Sequence, residues 1–265
     1  MMKAFIEGIG LLGPGLPGWS TSRSILAGAK PHTAEPMTIP TSDWLPPAER
    51  RRTGVSVRLA LATGREACEH AQRDPRSLAT VFTSSGGDGD NQHVICESLA
   101  TAAREVSPTR FHNSVHNAPA GYWGVATGAM ASSTSLCAFD WSFGAGLIEA
   151  LTWIACERQP MLLMAYDAPY PEPMRAVRAI SFPFGMALML APERSARTIT
   201  QLAVDLEPSS RTTAAGLPEG LKQLHDAIPA ARSLPLLCAL AREQRAEVPV
   251  DYLDGRQLRA TVTPP

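Results

Sequence analysis

The sequence predicts an α/β fold built on a mostly parallel or mixed central sheet. Three observations point to it. Short apolar runs bounded by glycine and proline recur at residues 2–10, 78–83, 133–139, 161–166, 184–191 and 199–206. Between them lie helix-length segments, 55–72 and 143–156 above all. The second of these is almost wholly apolar, the pattern of a helix buried nearly all round. Such alternation places helices on both faces of one sheet.

Each element follows from local chemistry. The strand at 2–10 runs into Gly13-Pro14-Gly15-Leu16-Pro17-Gly18, which ends it and forbids an immediate helix. A short helix follows at 20–29, with Ser20 or Thr21 as its cap, and a proline-rich loop covers 31–47. Helix 55–72 carries Val57, Leu61, Ala67 and Ala71 among helix formers and stops before Asp74-Pro75. Strand 78–83 leads into the polar, glycine-rich segment 84–90, then helices are expected at 92–103 and 119–130. Strand 133–139 gives way to helix 143–156, which is charged only at Glu149, with Glu157 just beyond its end.

Pro208-Ser209-Ser210 marks a change of composition. Beyond it come an amphipathic helix near 217–228, an apolar stretch near 234–242, and a hairpin (248–253 and 256–262) turning at Asp254-Gly255. The expected organisation is a domain over 1–207 and an extension over 208–265 packing on it.

Composition narrows the function classes. The chain has 265 residues, 45% hydrophobic and 18% charged, enough to bury a sizeable core. Its formal net charge is -1 and its longest basic block is Arg50-Arg51-Arg52, so nucleic acid is not an expected partner. The five cysteines are scattered without a Cys-x-x-Cys pair, as suits reduced thiols and no bound metal. Glu7 and nearby glycines and prolines interrupt any leader-like run, and no apolar stretch is long enough to span a bilayer. A cytoplasmic protein without a cofactor is expected.

Four motifs need weighing. Gly8-Ile9-Gly10-Leu11-Leu12-Gly13 matches the dinucleotide fingerprint, yet Pro14 and Pro17 block the helix that would hold a pyrophosphate, so it reads as a turn. His112 and His116 stand four apart without an acidic companion and read as loop residues. Asp88-Gly89-Asp90 lacks the spaced ligands and closing Glu of a calcium loop and reads as a surface turn.

Asp140-Trp141-Ser142-Phe143-Gly144 is the most informative stretch, because it lies where an apolar strand meets an apolar helix. Enzymes place nucleophiles at such turns, where the helix dipole and free amides stabilise an anion. One glycine is missing from Gly-x-Ser-x-Gly. A serine hydrolase would use Ser142 as nucleophile, His225 as base and Asp205 or Asp226 as acid. Against it, His225 falls in a polar helix after the composition change, and no His-Gly oxyanion loop precedes the turn.

Five segments, in order, resemble the N-terminal half of β-ketoacyl synthases. Residues 4–14, Ala-Phe-Ile-Glu-Gly-Ile-Gly-Leu-Leu-Gly-Pro, are similar to the family's opening strand and Gly-rich turn. The segment from Trp19 to Lys30, ending Leu26-Ala27-Gly28-Ala29-Lys30, resembles its "helix then Leu-x-x-Gly-x-Ser". Residues 107–121 look like the Pro-containing loop and the Asn that opens the next helix. Residues 133–139, Ser-Thr-Ser-Leu-Cys-Ala-Phe, resemble the strand carrying the nucleophile, and 184–190 the Gly-Ala-Gly-x-Leu-Val-Leu strand. The resemblance covers about residues 3–207. It implies a thiolase-like fold, N-terminal half only, with a mixed central sheet and helices on both faces.

The departures carry the functional expectation. Where the family has Thr-Ala-Cys, an ungapped match places Ala138-Phe139-Asp140, so Asp140, or with a one-residue shift Trp141, takes the position of the lost cysteine. Cys137 lies three positions earlier. Neither carboxylate nor indole replaces a thiolate as acyl acceptor. After Asp140 the only histidine is His225 and the only lysine Lys222, with no His-Gly-Thr and no Gly-Phe-Gly-Gly.

The resemblance therefore implies a non-catalytic subunit of the chain-length-factor type, in its truncated form from aryl-polyene clusters. It would pair with a full-length catalytic ketosynthase in polyene, polyketide or fatty-acid-like biosynthesis, and an acyl carrier protein is a further candidate partner. Phe139, Asp140, Trp141, Ser142 and Phe143 would form the elbow and line the acyl tunnel. The implied dimer interface is Ser133, Thr134, Ser135, Leu136 and Cys137, with Tyr122 and Trp123. A scaffold that only stabilises the ketosynthase is the other alternative to a hydrolase.

Overall fold

In the computed structural model, residues 1–209, 214 and 216–265 are described. Ser210, within the predicted composition break, lies outside them. The chain runs β1 (Met2–Leu12), α1 (Trp19–Leu26), α2 (Pro47–Arg50), α3 (Val55–Ala71), β2 (Ala79–Thr83), α4 (Gly89–Ala100), α5 (Pro108–His112), α6 (Ala118–Thr127) and β3 (Ser133–Leu136). It continues α7 (Ser142–Glu157), β4 (Met161–Asp167), α8 (Met174–Val177), β5 (Phe184–Ala191), β6 (Thr200–Pro208), α9 (Glu219–Ala227), α10 (Leu234–Ala241), β7 (Ala246–Asp251) and β8 (Arg256–Thr263). The strands form one mixed sheet of eight in the order β3-β2-β4-β5-β1-β6-β8-β7, parallel at β3-β2-β4 and antiparallel elsewhere.

Both faces of the sheet are covered, which explains why its central strands read as continuous apolar runs. Along β4, Met161, Leu163 and Ala165 face one core, and Leu162, Met164 and Tyr166 the other. The first core lies under α1, α7, α9 and α10, and the second under α3 and α6. β8 pairs with β6 over its whole length, so the C-terminal hairpin extends the same sheet, and α10 is buried throughout.

The glycine-rich motif of β1 has a packing reason. A Cβ on Gly10 would stand 2.0 Å from the Thr63 carbonyl oxygen of α3, and one on Gly8 would stand 2.2 Å from that of Ala67. The helix thus rests on bare backbone, and the strand continues to Leu12, two residues past the expected stop. The expected turn at 8–13 is strand until Gly13. Glu7, the charge inside this apolar strand, is buried and paired with Arg73 at 2.7 Å.

Other boundaries move for local reasons. Asp88 caps α4 by accepting from the Asn91 amide at 3.0 Å, so that helix starts before residue 92 and the Asp-Gly-Asp segment is its entry. β3 stops at Leu136, not 139, because the following residues turn the elbow. The hairpin turns where expected, with Gly255 at φ +73°. The short helices α2, α5 and α8 were not predicted; four or five residues behind a proline carry too little periodicity to read.

Candidate functional site: the strand–helix elbow

Between β3 and α7 the backbone turns through Cys137 and Ala138 into a single 3₁₀ turn, Phe139–Trp141. Phe139 sits in the left-handed region at φ +53°, a conformation costly for an aromatic residue that needs surrounding support. That support is visible. The Ser142 hydroxyl donates to the Phe139 carbonyl at 2.7 Å and accepts from the Ala138 amide at 3.0 Å. The Thr83 hydroxyl donates to the Ser142 carbonyl at 2.7 Å, tying the elbow to the end of β2. Gly144 lets α7 press on the end of β7, since a Cβ there would meet the Asp251 carbonyl oxygen at 2.3 Å.

The tip of the elbow is thus Phe139, one residue before the Asp140 that the ungapped match set at the cysteine position. Phe139 is 54% exposed, and its ring lies beneath the Arg178 guanidinium, 3.9 Å from the ring centroid. Asp140 turns aside: Arg178 donates to one carboxylate oxygen at 2.6 Å and Arg232 to the other at 3.2 Å. These charges line a cavity of about 220 Å³ together with Asp226 and Pro229. Trp141 is half-buried, and Phe143 is buried against the sheet.

The other predicted residues divide. β3 is an edge strand, paired to β2 on one side only. Its Thr134 hydroxyl donates to Glu149 at 3.2 Å, and Ser133 accepts from Thr80 at 3.0 Å. Ser135 and Ser133 border a groove with His116 and Asn117, and His116 Nε2 lies 3.0 Å from the Leu136 carbonyl. Cys137 lies just outside the strand, exposed, its thiol donating to the Ser85 carbonyl at 3.1 Å. Tyr122 and Trp123 stand apart from this set. They are 3% and 2% exposed, Tyr122 donating to Asn113 and Trp123 edge-on to Phe82 and Trp44, so they pack this chain's own core and offer no face to a partner.

Of the hydrolase residues the structure pairs His225 with Asp226 and leaves Ser142 and Asp205 in other contacts. Among the described residues the Ser142 hydroxyl bonds only to backbone around the elbow. His225 is buried with Nδ1 2.9 Å from Asp226, and its Nε2 has no hydrogen-bond partner there. Asp205, on β6, pairs with the N-terminal amine and Arg259. Sequence reasoning missed Arg178, Arg232 and Asp167. Asp167 alone left a sign, a charge ending an otherwise apolar strand. Burial pushes its carboxyl up, against hydrogen bonds from Ser85, Ala230 and Ser84 that pull it down.

No group of His, Cys, Asp and Glu among the described residues is arranged to hold a metal ion, and no helix among them is long and apolar enough to cross a membrane. The elbow falls inside residues 22–245, which match the family described as beta-ketoacyl synthase, N-terminal domain. The chain belongs to the beta-ketoacyl synthase family. The thiolase-like fold read from the sequence is the fold found. It is similar to a chain of the ketosynthase (ApeO) in complex with its chain length factor (ApeC) from Xenorhabdus doucetiae, at 24% identity and TM-score 0.75, with 98% of this chain and 100% of that one covered. It is also similar to the ishigamide ketosynthase/chain length factor, at 12% identity and TM-score 0.73, covering 100% and 99%. A third ketosynthase neighbour is the AntDE:AntF complex, a type II polyketide acyl-carrier protein with its ketosynthase, at 11% identity and TM-score 0.74, covering 100% and 99%. At these identities the likeness is one of fold. No curated protein matches the chain.

Proposed function

We propose that this chain is the non-catalytic, chain-length-factor-like subunit of a type II β-ketoacyl-carrier-protein synthase, paired with a full-length ketosynthase and shaping its acyl tunnel. One observation carries the reading: the elbow where the family holds its acyl-accepting thiol is occupied by Phe139, Asp140 and Trp141. Whichever of the three is matched to the cysteine, none forms a thioester. Condensation needs a nucleophile that accepts the acyl chain and donors that hold the enolate oxygen. A phenylalanine ring supplies neither, but a bulky ring at the elbow can block a tunnel, because a growing chain stops at a wall it cannot displace.

Two further features support the pairing. The open edge of β3 offers unpaired backbone to a second strand. Phe111, Val115, Val125 and Met130 expose apolar side chains on α5, α6 and their flanks, and α6 lies against β3. The ketosynthase complexes among the structural neighbours agree with such a partner, and in one of them a carrier protein is bound.

The test is reconstitution with the full-length ketosynthase of the same organism. The pair should co-purify and elongate acyl chains, Phe139→Ala should lengthen the products, and this chain alone should remain inert towards acyl and malonyl donors. Thioester formation or two-carbon extension by the isolated chain overturns the reading.

A further inference from the structure

The elbow is braced more heavily than a four-residue turn requires. A line of contacts runs from the Phe139 ring to Arg178 (3.9 Å), to Asp140 (2.6 Å), to Arg232 (3.2 Å) and on to Asp251 of β7 (3.4 Å). The four charged side chains are only 17% to 29% exposed and balance two against two. Asp140 pairs with both arginines and Asp251 with Arg232, and although the Arg178 Nε has no hydrogen-bond partner among the described residues, the carboxylates, Asp226 among them, oppose an added anion in this cavity. Its one open-ended member is Phe139, a residue more than half exposed at the tip.

The chemistry of Arg178 fits a particular task. A guanidinium is flat, so it can stack on a ring and still direct N–H groups in its plane at a carboxylate; an ammonium cannot do both. An exposed phenylalanine samples several rotamers. Here one face of the ring is covered by a cation that Asp140 tethers, and Arg232, from the C-terminal segment, holds the other oxygen of that carboxylate. Losing a stacking contact of this kind changes the population of the held rotamer about two- to fivefold.

We propose that Arg178 is a positioning residue, which fixes the Phe139 ring in one pose at the elbow tip so that the ring sets the limit of acyl-chain length. The idea rests on the tunnel-shaping function proposed above. Without Arg178 the ring swings, the wall gives way, and chains outgrow the normal stop while the pair still assembles.

The experiment uses the complex with the full-length ketosynthase, 4-fluorophenylalanine placed at position 139, and the variants Arg178→Ala, Arg178→Lys, Asp140→Asn and Phe139→Ala. Arg178→Lys keeps a charge for Asp140 and loses the flat stack, so it preserves the fold if Arg178→Ala does not. In both Arg178 variants and in Asp140→Asn the fluorine resonance should move or broaden, and the share of product longer than normal should rise about two- to fivefold. Phe139→Ala should lengthen products at least as much, and adding Arg178→Ala to it should bring no further change. An unmoved fluorine resonance overturns the proposal. A moved resonance with unchanged products, where Phe139→Ala lengthens them, also overturns it and leaves Arg178 a structural residue. If Phe139→Ala itself leaves length unaltered, the tunnel reading fails and the chain-length role of Arg178 with it, while the fluorine signal still decides whether Arg178 holds the ring.

Discussion

Asp167 ends an apolar strand with a buried charge, and its four acceptor contacts explain why. Oδ1 accepts from the Ser85 amide (2.8 Å), the Ser85 hydroxyl (2.7 Å) and the Ser84 hydroxyl (3.2 Å), while Oδ2 accepts from the Ala230 amide at 2.7 Å. One carboxylate thus joins the loop after β2 to the segment ahead of α10. Asp167→Ala leaves two buried backbone amides without acceptors, at a cost of about 1–3 kcal/mol each. Denaturant unfolding should show a loss of about 3 kcal/mol, and a loss below about 1 kcal/mol would mean that the C-terminal segment is held by other contacts. The cysteines separate at the same scale. Burial pushes the thiols of Cys68 and Cys238 up to about 12, so neither offers appreciable thiolate near neutral pH. Cys96, Cys137 and Cys156 are exposed. A disulfide reagent at pH 8 should modify those three in the folded chain and reach the other two only after unfolding. Rapid modification of all five would contradict this packing.

At the scale of elements, β1 against α3 is the contact least tolerant of change. Gly10→Ala drives a methyl into the Thr63 carbonyl, which neither strand nor helix can relieve without parting. Overpacking of this kind costs about 1–3 kcal/mol, and the value here should sit at the upper end because backbone meets backbone. A Gly10→Ala chain with unchanged urea midpoint would show that the helix lies further from the strand. This contact also shows what the sequence could and could not reveal. The central strands were legible because both sheet faces are covered there and their residues are mostly apolar. The meaning of Gly8 and Gly10 was not, since a glycine required by a helix 53 to 59 residues away looks the same as one required by a turn. The change from apolar strand to apolar helix drew attention to residues 140–144, but the left-handed backbone of Phe139 was not legible, because a positive φ at an aromatic residue has no local signature. Arg178 and Arg232 were invisible for a similar reason: 38 and 92 residues separate them from the carboxylate they hold.

The whole molecule has two sheet edges, and they differ in a way that bears on partnership. β7 closes one end with Pro249, which lacks an N–H, and the exposed charge of Glu247, features that discourage pairing with another strand. β3 closes the other with Ser133, Thr134, Ser135 and Leu136, a short strand with neither proline nor charge, beside a surface that exposes Phe111 and Val115. A partner strand added there would satisfy the free backbone groups and cover the elbow's Cys137 together with the strand. Mixing with the ketosynthase should therefore slow amide exchange across 133–137 and alkylation of Cys137. Cys156, exposed at the end of α7, and the β7 amides should behave as they do in the free chain. Protection confined to β7, or full reactivity of Cys137 within a stable complex, would move the interface to another face and remove the elbow from the partner's tunnel.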